Sequence, residues 1–195
     1  MHRDERGLVR PQRALHCCMR LRLSPHPDTP AEAVGAIEVE IARPDLAKLT
    51  LRYILAGVVP RLASPPPAAP DRADDLWRHT CFEAFLLPEP GEAYVELNFA
   101  PSTQWAAYRF SGYRDGMAPA DIAAPRIVVG ATDTSLELTV QLDLARLALP
   151  PGPCRLALSA VIEATTGAKS YWALAHPPGR PDFHHRSSFA YSLPG

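Results

Sequence analysis

At 195 residues with 47% hydrophobic side chains, the chain is long for a minimal domain and short for two ordinary ones, with enough apolar matter for a core. Twenty Lys and Arg against 21 Asp and Glu leave a net charge of −1, which argues against a broad basic surface for nucleic acid or anionic membrane. The four cysteines, at 17, 18, 81 and 154, form no disulfide framework, so a reducing cytoplasm is the expected compartment, and no apolar run is long enough to span a membrane.

Met1–Arg13 carries His2, Arg3, Asp4, Glu5, Arg6, Arg10 and Arg13 with no apolar stretch of a secretory signal. Residues 1–18 are therefore expected to be a disordered tail, or the product of a misread start with Met19 as the true beginning. Residues 19–195 read as a single domain of about 175 ordered residues.

From Met19 onward the hydrophobic period is two. Ile37, Val39 and Ile41 alternate with Glu38, Glu40 and Ala42; Leu49, Leu51, Tyr53 and Leu55 alternate with Thr50, Arg52 and Ile54. Leu136, Leu138, Val140 and Leu142 do the same with Glu137, Thr139 and Gln141. Such alternation puts one face of a strand in a core and the other toward water. Further strands are predicted over 80–87, 94–100, 105–110, 127–130, 155–163, 170–174 and 189–193, and one helical turn over 143–149. The 22 prolines fall almost entirely between these segments, where they remove no ladder hydrogen bonds. Many short strands with no long helical pattern predict an all-β antiparallel sandwich or jelly roll. The Pro-rich stretch Ser64–Pro70, followed by Asp71–Asp75, reads as a stiff solvated loop inside the domain, because three strands alone are too few to bury a core.

Three blocks resist explanation by packing alone: 77–87, 94–117 and 170–185. Glu83 lies in a strand with Cys81 and Phe85 on its own side of the pleat, a costly place for a carboxylate without a partner. Its partner would be an arginine (Arg78, Arg109 or Arg114) or the hydroxyl of a ligand. The strand 94–100 must be its antiparallel neighbour, but loop length leaves two registers open, with Glu83 opposite Leu97 or on the side of Glu96 and Asn98. Trp77, Trp105 and Trp172 are either core residues or stacking platforms. An indole accepts the flat C–H face of a sugar, while carboxylates, amides and guanidinium groups take its hydroxyls. His79 and Cys81 share a strand face, and His176, His184 and His185 lie later, but the tight paired spacings of a zinc site are absent, so no metal is expected. A cluster of Glu83, His79 and Cys81 would be the only nucleophilic grouping for a hydrolase, and no familiar catalytic or phosphate-binding motif occurs.

The run Phe82-Glu83-Ala84-Phe85-Leu86-Leu87-Pro88, followed after a turn by Tyr94-Val95-Glu96-Leu97-Asn98-Phe99-Ala100-Pro101-Ser102, resembles the strand pair of DOMON domains and family 9 carbohydrate-binding modules. With Leu76–Phe85, Gln104–Tyr108, Tyr113–Met117, Tyr171–Leu174 and Pro181–His184, the chain is similar to bacterial DOMON-like proteins over nearly its whole length. That resemblance implies a jelly-roll β-sandwich and a ligand-binding rather than catalytic function. One expectation is a saccharide or similar polar small molecule, with Trp77, Trp105 and Trp172 stacking. Glu83, Glu96, Asn98 and Arg109 would bond hydroxyls, and Arg78, His79, Tyr108 and Arg114 would stand beside them. The alternative is haem b in a redox or sensor domain, with Met117 and either His176 or His184 as axial ligands. Cytochrome relatives are exported, and the absence of a signal weighs against that alternative and against an extracellular polysaccharide.

Overall fold

The computed structural model describes residues 19–29 and 31–193, so the expected tail lies outside the described residues. Twelve strands run in chain order: β1 Met19–Pro25, β2 Val34–Asp45, β3 Lys48–Gly57, β4 Cys81–Pro88, β5 Tyr94–Phe99 and β6 Trp105–Phe110, then β7 Ala118–Pro119, β8 Arg126–Ala131, β9 Ser135–Asp143, β10 Cys154–Glu163, β11 Lys169–Ala173 and β12 Tyr191–Leu193. Among the described residues there is no α-helix, only short 3-10 turns, one of them within the predicted 143–149 turn at Ala145–Leu147.

The strands hydrogen-bond in the order β7-β6-β5-β4-β10-β11-β1-β2-β3-β9-β8, with β12 paired to β10. β1 makes this a sandwich. Its residues Met19–Leu23 pair with β2, while Ser24 and Pro25 pair with β11, so one strand belongs to both sheets. The chain is an antiparallel all-β sandwich, as the periodicity predicts.

The two facing surfaces form the main core. Leu23, Ile37, Val39, Leu51, Tyr53 and Leu138 come from one sheet, and Phe82, Leu86, Leu97, Phe99, Leu158 and Trp172 from the other. Each such side chain contributes about 1.5–3 kcal/mol when fully removed from water. The fully buried Tyr53 hydroxyl crosses the gap and donates to the backbone oxygen of Glu83 at 2.8 Å. This bond holds the middle of β4 to the opposite sheet.

β4 departs from simple alternation, since every residue from Cys81 to Leu87 is buried. Its outer face is covered by a second apolar cluster in which Phe85, Tyr94, Tyr108 and Phe110 pack against Phe183 and Phe189. The segment after β11 therefore folds back over the outer face of the β6-β5-β4-β10 surface. Where that cover is incomplete, a cavity opens.

Candidate functional site

The cavity holds about 440 Å³ and lies over β4, β5 and β10 on the outer face. Strand pairing decides what its floor contains. Glu83 faces Asn98 on β5 and Ser159 on β10, and Glu96 faces Phe85 and Tyr108. Of the two registers open to sequence reasoning, the Glu96/Asn98 side is the one adopted. Glu83 and Glu96 thus stand diagonally across neighbouring strands, a separation that long side chains bridge.

Both carboxyls are almost wholly buried. Ser159 Oγ donates to Glu83 Oε2 at 3.1 Å, and Asn98 Nδ2 donates to Glu96 Oε1 at 2.8 Å. Among the described residues, no arginine makes an ion pair with Glu83. Burial, and after it the neighbouring Glu96, push Glu83 well above the ordinary carboxyl range, with the Ser159 bond opposing. Burial raises Glu96 too, against the pull of Asn98 and Arg114. The pair therefore holds protons that exposed glutamates would release.

His184 completes the inner wall. The Arg114 backbone N–H donates to Tyr94 Oη at 3.2 Å, and Tyr94 Oη lies 2.7 Å from His184 Nδ1. With the Tyr94 hydroxyl donating, this chain assigns the imidazole proton to Nε2, which points at Glu96 Oε2 3.8 Å away. Burial, reinforced by the Arg114 charge, lowers His184 to about 4, so at neutral pH the imidazole is uncharged.

The mouth is built from three other elements. The 3-10 turn Leu76–Arg78 presents Trp77, 46% exposed, with the Arg78 guanidinium 5.2 Å from its ring centre. Asp75, just before it, sits at φ 63°. The 111–117 loop presents Arg114, itself at φ 54°, and Met117, 58% exposed. Gly116 lets this loop close, because a Cβ there would meet Ser111 Oγ at 2.2 Å. β11 contributes Lys169 and Tyr171. Left-handed backbone at non-glycine residues is costly, and of the four such residues among those described, two flank this cavity. Asp182 ties mouth to cover: it accepts from the Tyr113 hydroxyl, from Arg114 Nη2 at 2.8 Å and from the His184 backbone N–H at 3.1 Å.

Of the residues singled out in the sequence, Trp77, Arg78, Glu83, Glu96, Tyr108, Arg114, Met117 and His184 line this cavity. Asn98 lies behind the lining, bonded to Glu96. Trp105 and Trp172 face the other way, into the inter-sheet core, where their indole N–H groups donate to Pro70 O (3.3 Å) and Ser170 Oγ (3.0 Å). The pleat explains this: each is one residue out of phase with a neighbour on the outer face, Ala106 or Tyr171. Arg109 is out of phase with Tyr108 in the same way and is exposed outside the cavity. His79 bonds to Glu163 at 2.7 Å, while the Cys81 thiol contacts Asn98 and the Phe82 carbonyl oxygen. Burial raises Cys81 well above the usual thiol range, so Glu83, His79 and Cys81 form no nucleophilic grouping.

The candidate haem ligands do not fit an axial pair. Met117 and His184 line one cavity, but His184 gives one nitrogen to Tyr94 and turns the other toward Glu96. His176 lines no part of it; its Nε2 faces Ser24 O at 2.9 Å and its ring packs edge-on against His26. No group of three or more His, Cys, Asp or Glu among the described residues is arranged to hold a metal ion.

Sequence reasoning did not select Ser159, Lys169, Tyr171, Asp182 or Phe183 as site residues. Lys169 and Tyr171 were findable as the outward phase of β11. Ser159 carried no signal, because its place beside Glu83 depends on pairing across 76 positions.

No family model matches the chain, and no curated protein matches it. Solved structures do. A candidate carbohydrate-binding protein from Bacteroides uniformis is similar with a TM-score of 0.62 over 88% of this chain and 84% of its own, at 14% identity. A family 9 carbohydrate-binding module from Caldicellulosiruptor kristjanssonii in complex with cellotriose gives 0.54 over 83% and 75%, at 11% identity. The same kind of module in complex with glucose gives 0.55 over 91% and 83%, at 11% identity. At these identities the likeness defines the class by fold: a β-sandwich of the kind seen in carbohydrate-binding modules.

Proposed function

We propose that the chain is a non-catalytic, DOMON-like saccharide-binding domain whose ligand occupies the cavity over β4, β5 and β10. The observation that carries this reading is one cavity combining a half-exposed indole, Trp77, with buried polar groups at its floor, Glu83 and Glu96. A sugar needs both: a flat apolar surface for its C–H face and fixed donors and acceptors for its hydroxyls. The likeness to sandwiches solved with glucose and cellotriose supports the same reading. Burial raises both floor carboxyls, and a carboxyl that keeps its proton can donate as well as accept, which suits a hydroxyl.

The test is thermal unfolding of the full chain, followed by tryptophan fluorescence, against mono- and oligosaccharides, with haemin and divalent metals as further arms. A saccharide at a hundred times its dissociation constant stabilises the fold by about 2.7 kcal/mol, several degrees for a domain of this size. Saccharide-dependent shifts with a change in Trp77 emission are expected. A shift with haemin alone, accompanied by a sharp Soret band, or no shift with any saccharide, would overturn the proposal.

A further inference from the structure

Resting on that reading, the charges around the cavity narrow the ligand class. Three cationic side chains line it from three separate elements: Arg78 from the 3-10 turn, Arg114 from the 111–117 loop and Lys169 from β11. Two of them have carboxylate partners, Arg78 with Asp75 at 3.2 Å and Arg114 with Asp182 at 2.8 Å. Lys169 has none among the described residues, and its ammonium group donates to the backbone oxygen of Arg78. That bond brings the ammonium group to the same stretch of the mouth as Arg78 and Trp77. The remaining titratable groups facing the cavity are Glu83, Glu96, Tyr108, Tyr171 and His184. Glu83 and Glu96 lie buried beneath the mouth, bonded to Ser159 and Asn98, and neither makes an ion pair with Lys169 or Arg78; burial raises both.

We propose that the cavity takes a saccharide bearing an acidic group, with Trp77 under the ring, Glu83 and Glu96 on its hydroxyls, and Lys169 with Arg78 on the anion. A neutral sugar would leave the Lys169 ammonium group unpaired beside its ring. An acidic one supplies Lys169 with a carboxylate or phosphate as a charge-assisted hydrogen bond, which no side chain among the described residues does, since Glu163, opposite it on β10, is bonded to His79 and Asp75 to Arg78.

Titration calorimetry of the full chain compares glucose with glucuronate and glucose 6-phosphate, which share its ring and differ in the anion. The acidic sugar should bind about tenfold more tightly than glucose or better, the worth of one charge-assisted bond, and the advantage should shrink as salt is added. The preferred member of the pair distinguishes a carboxylate from a phosphate ligand. In Lys169→Gln and in Arg78→Gln, the ratio of acidic to neutral affinity should fall toward one. Both side chains reach solvent at the cavity mouth, so both variants should keep the parent's melting temperature. Equal or tighter binding of glucose, or a ratio unmoved by Lys169→Gln, would overturn this inference while leaving a saccharide site in place. Failure of every saccharide, neutral and acidic, would overturn the site itself.

Discussion

The three tryptophans separate by the face of the strand or turn on which they stand. Trp77 keeps nearly half of its surface in water, a standing cost for an indole unless something covers it, whereas Trp172 is 2% exposed and packed between the sheets. Removing them should therefore do different things. Trp77→Ala should leave stability within about 0.5 kcal/mol of the parent while weakening saccharide binding by about three- to tenfold, the usual worth of one aromatic platform. Trp172→Ala should cost about 3–5 kcal/mol of stability through the cavity it leaves. Urea unfolding and saccharide titration of the two variants check this directly. Undiminished binding by Trp77→Ala would remove the indole from the ligand site.

At the scale of elements, the site depends on the segment after β11 staying folded over β4 and β5. Asp182 is its anchor, tied to Tyr113, Arg114 and the His184 backbone. Asp182→Ala removes a charge-assisted bond worth about 1.5–3 kcal/mol and leaves Arg114 without its carboxylate. Faster amide exchange over 177–190, weaker saccharide binding and an intact sandwich are expected. Unchanged exchange in that segment would mean that Phe183 and Phe189 alone hold the cover down. The same element marks the limit of what the sequence tells. β2, β3 and β9 alternate cleanly because one face of each meets water, so they are legible residue by residue. In β4 the covering segment buries both faces, and only the oddity of Glu83 among apolar residues betrays a site. β1 alternates Leu21 and Leu23 with Arg20 and Arg22, yet it was not picked out as a strand, and nothing local shows that it bridges two sheets. Glu83 was readable as an anomaly, Glu96 as a candidate for ligand hydroxyls and His184 only as a candidate haem ligand. Ser159 was not, because the β4–β10 register that brings it to Glu83 is set by distant pairing.

For the whole molecule, the buried groups of the cavity set the pH dependence of stability. Glu83 and Glu96 are raised above the ordinary value of 4.5, so the folded chain binds more protons than the unfolded one above that pH. Their contribution is fully present at or below 4.5 and is lost as pH rises toward the folded values. His184 has the opposite sign. Lowered from 6.5 to about 4, it makes the unfolded chain bind more protons in that interval, so stability falls as pH drops through it. Asp74 and Asp182 are lowered from 3.8 and weaken the fold only in more acidic solution. The two kinds of group oppose each other between 4.5 and 6.5, where His176, lowered by burial, acts with His184; above 6.5 the carboxyls of the cavity act without either histidine. The protein should consequently lose stability on both sides, toward acid as His184 takes up its proton and toward higher pH as the two glutamates release theirs. Glu83→Gln, which keeps an amide acceptor for Ser159 and cannot ionise, should flatten that upper limb, and His184→Asn should flatten the lower one. Melting temperatures of the parent and both variants across this range test the assignment. If the parent showed no loss of stability as pH rises above 6.5, the two glutamates would have to be charged already in the folded state there. The cavity floor would then be anionic, and an acidic saccharide would be repelled from it rather than held.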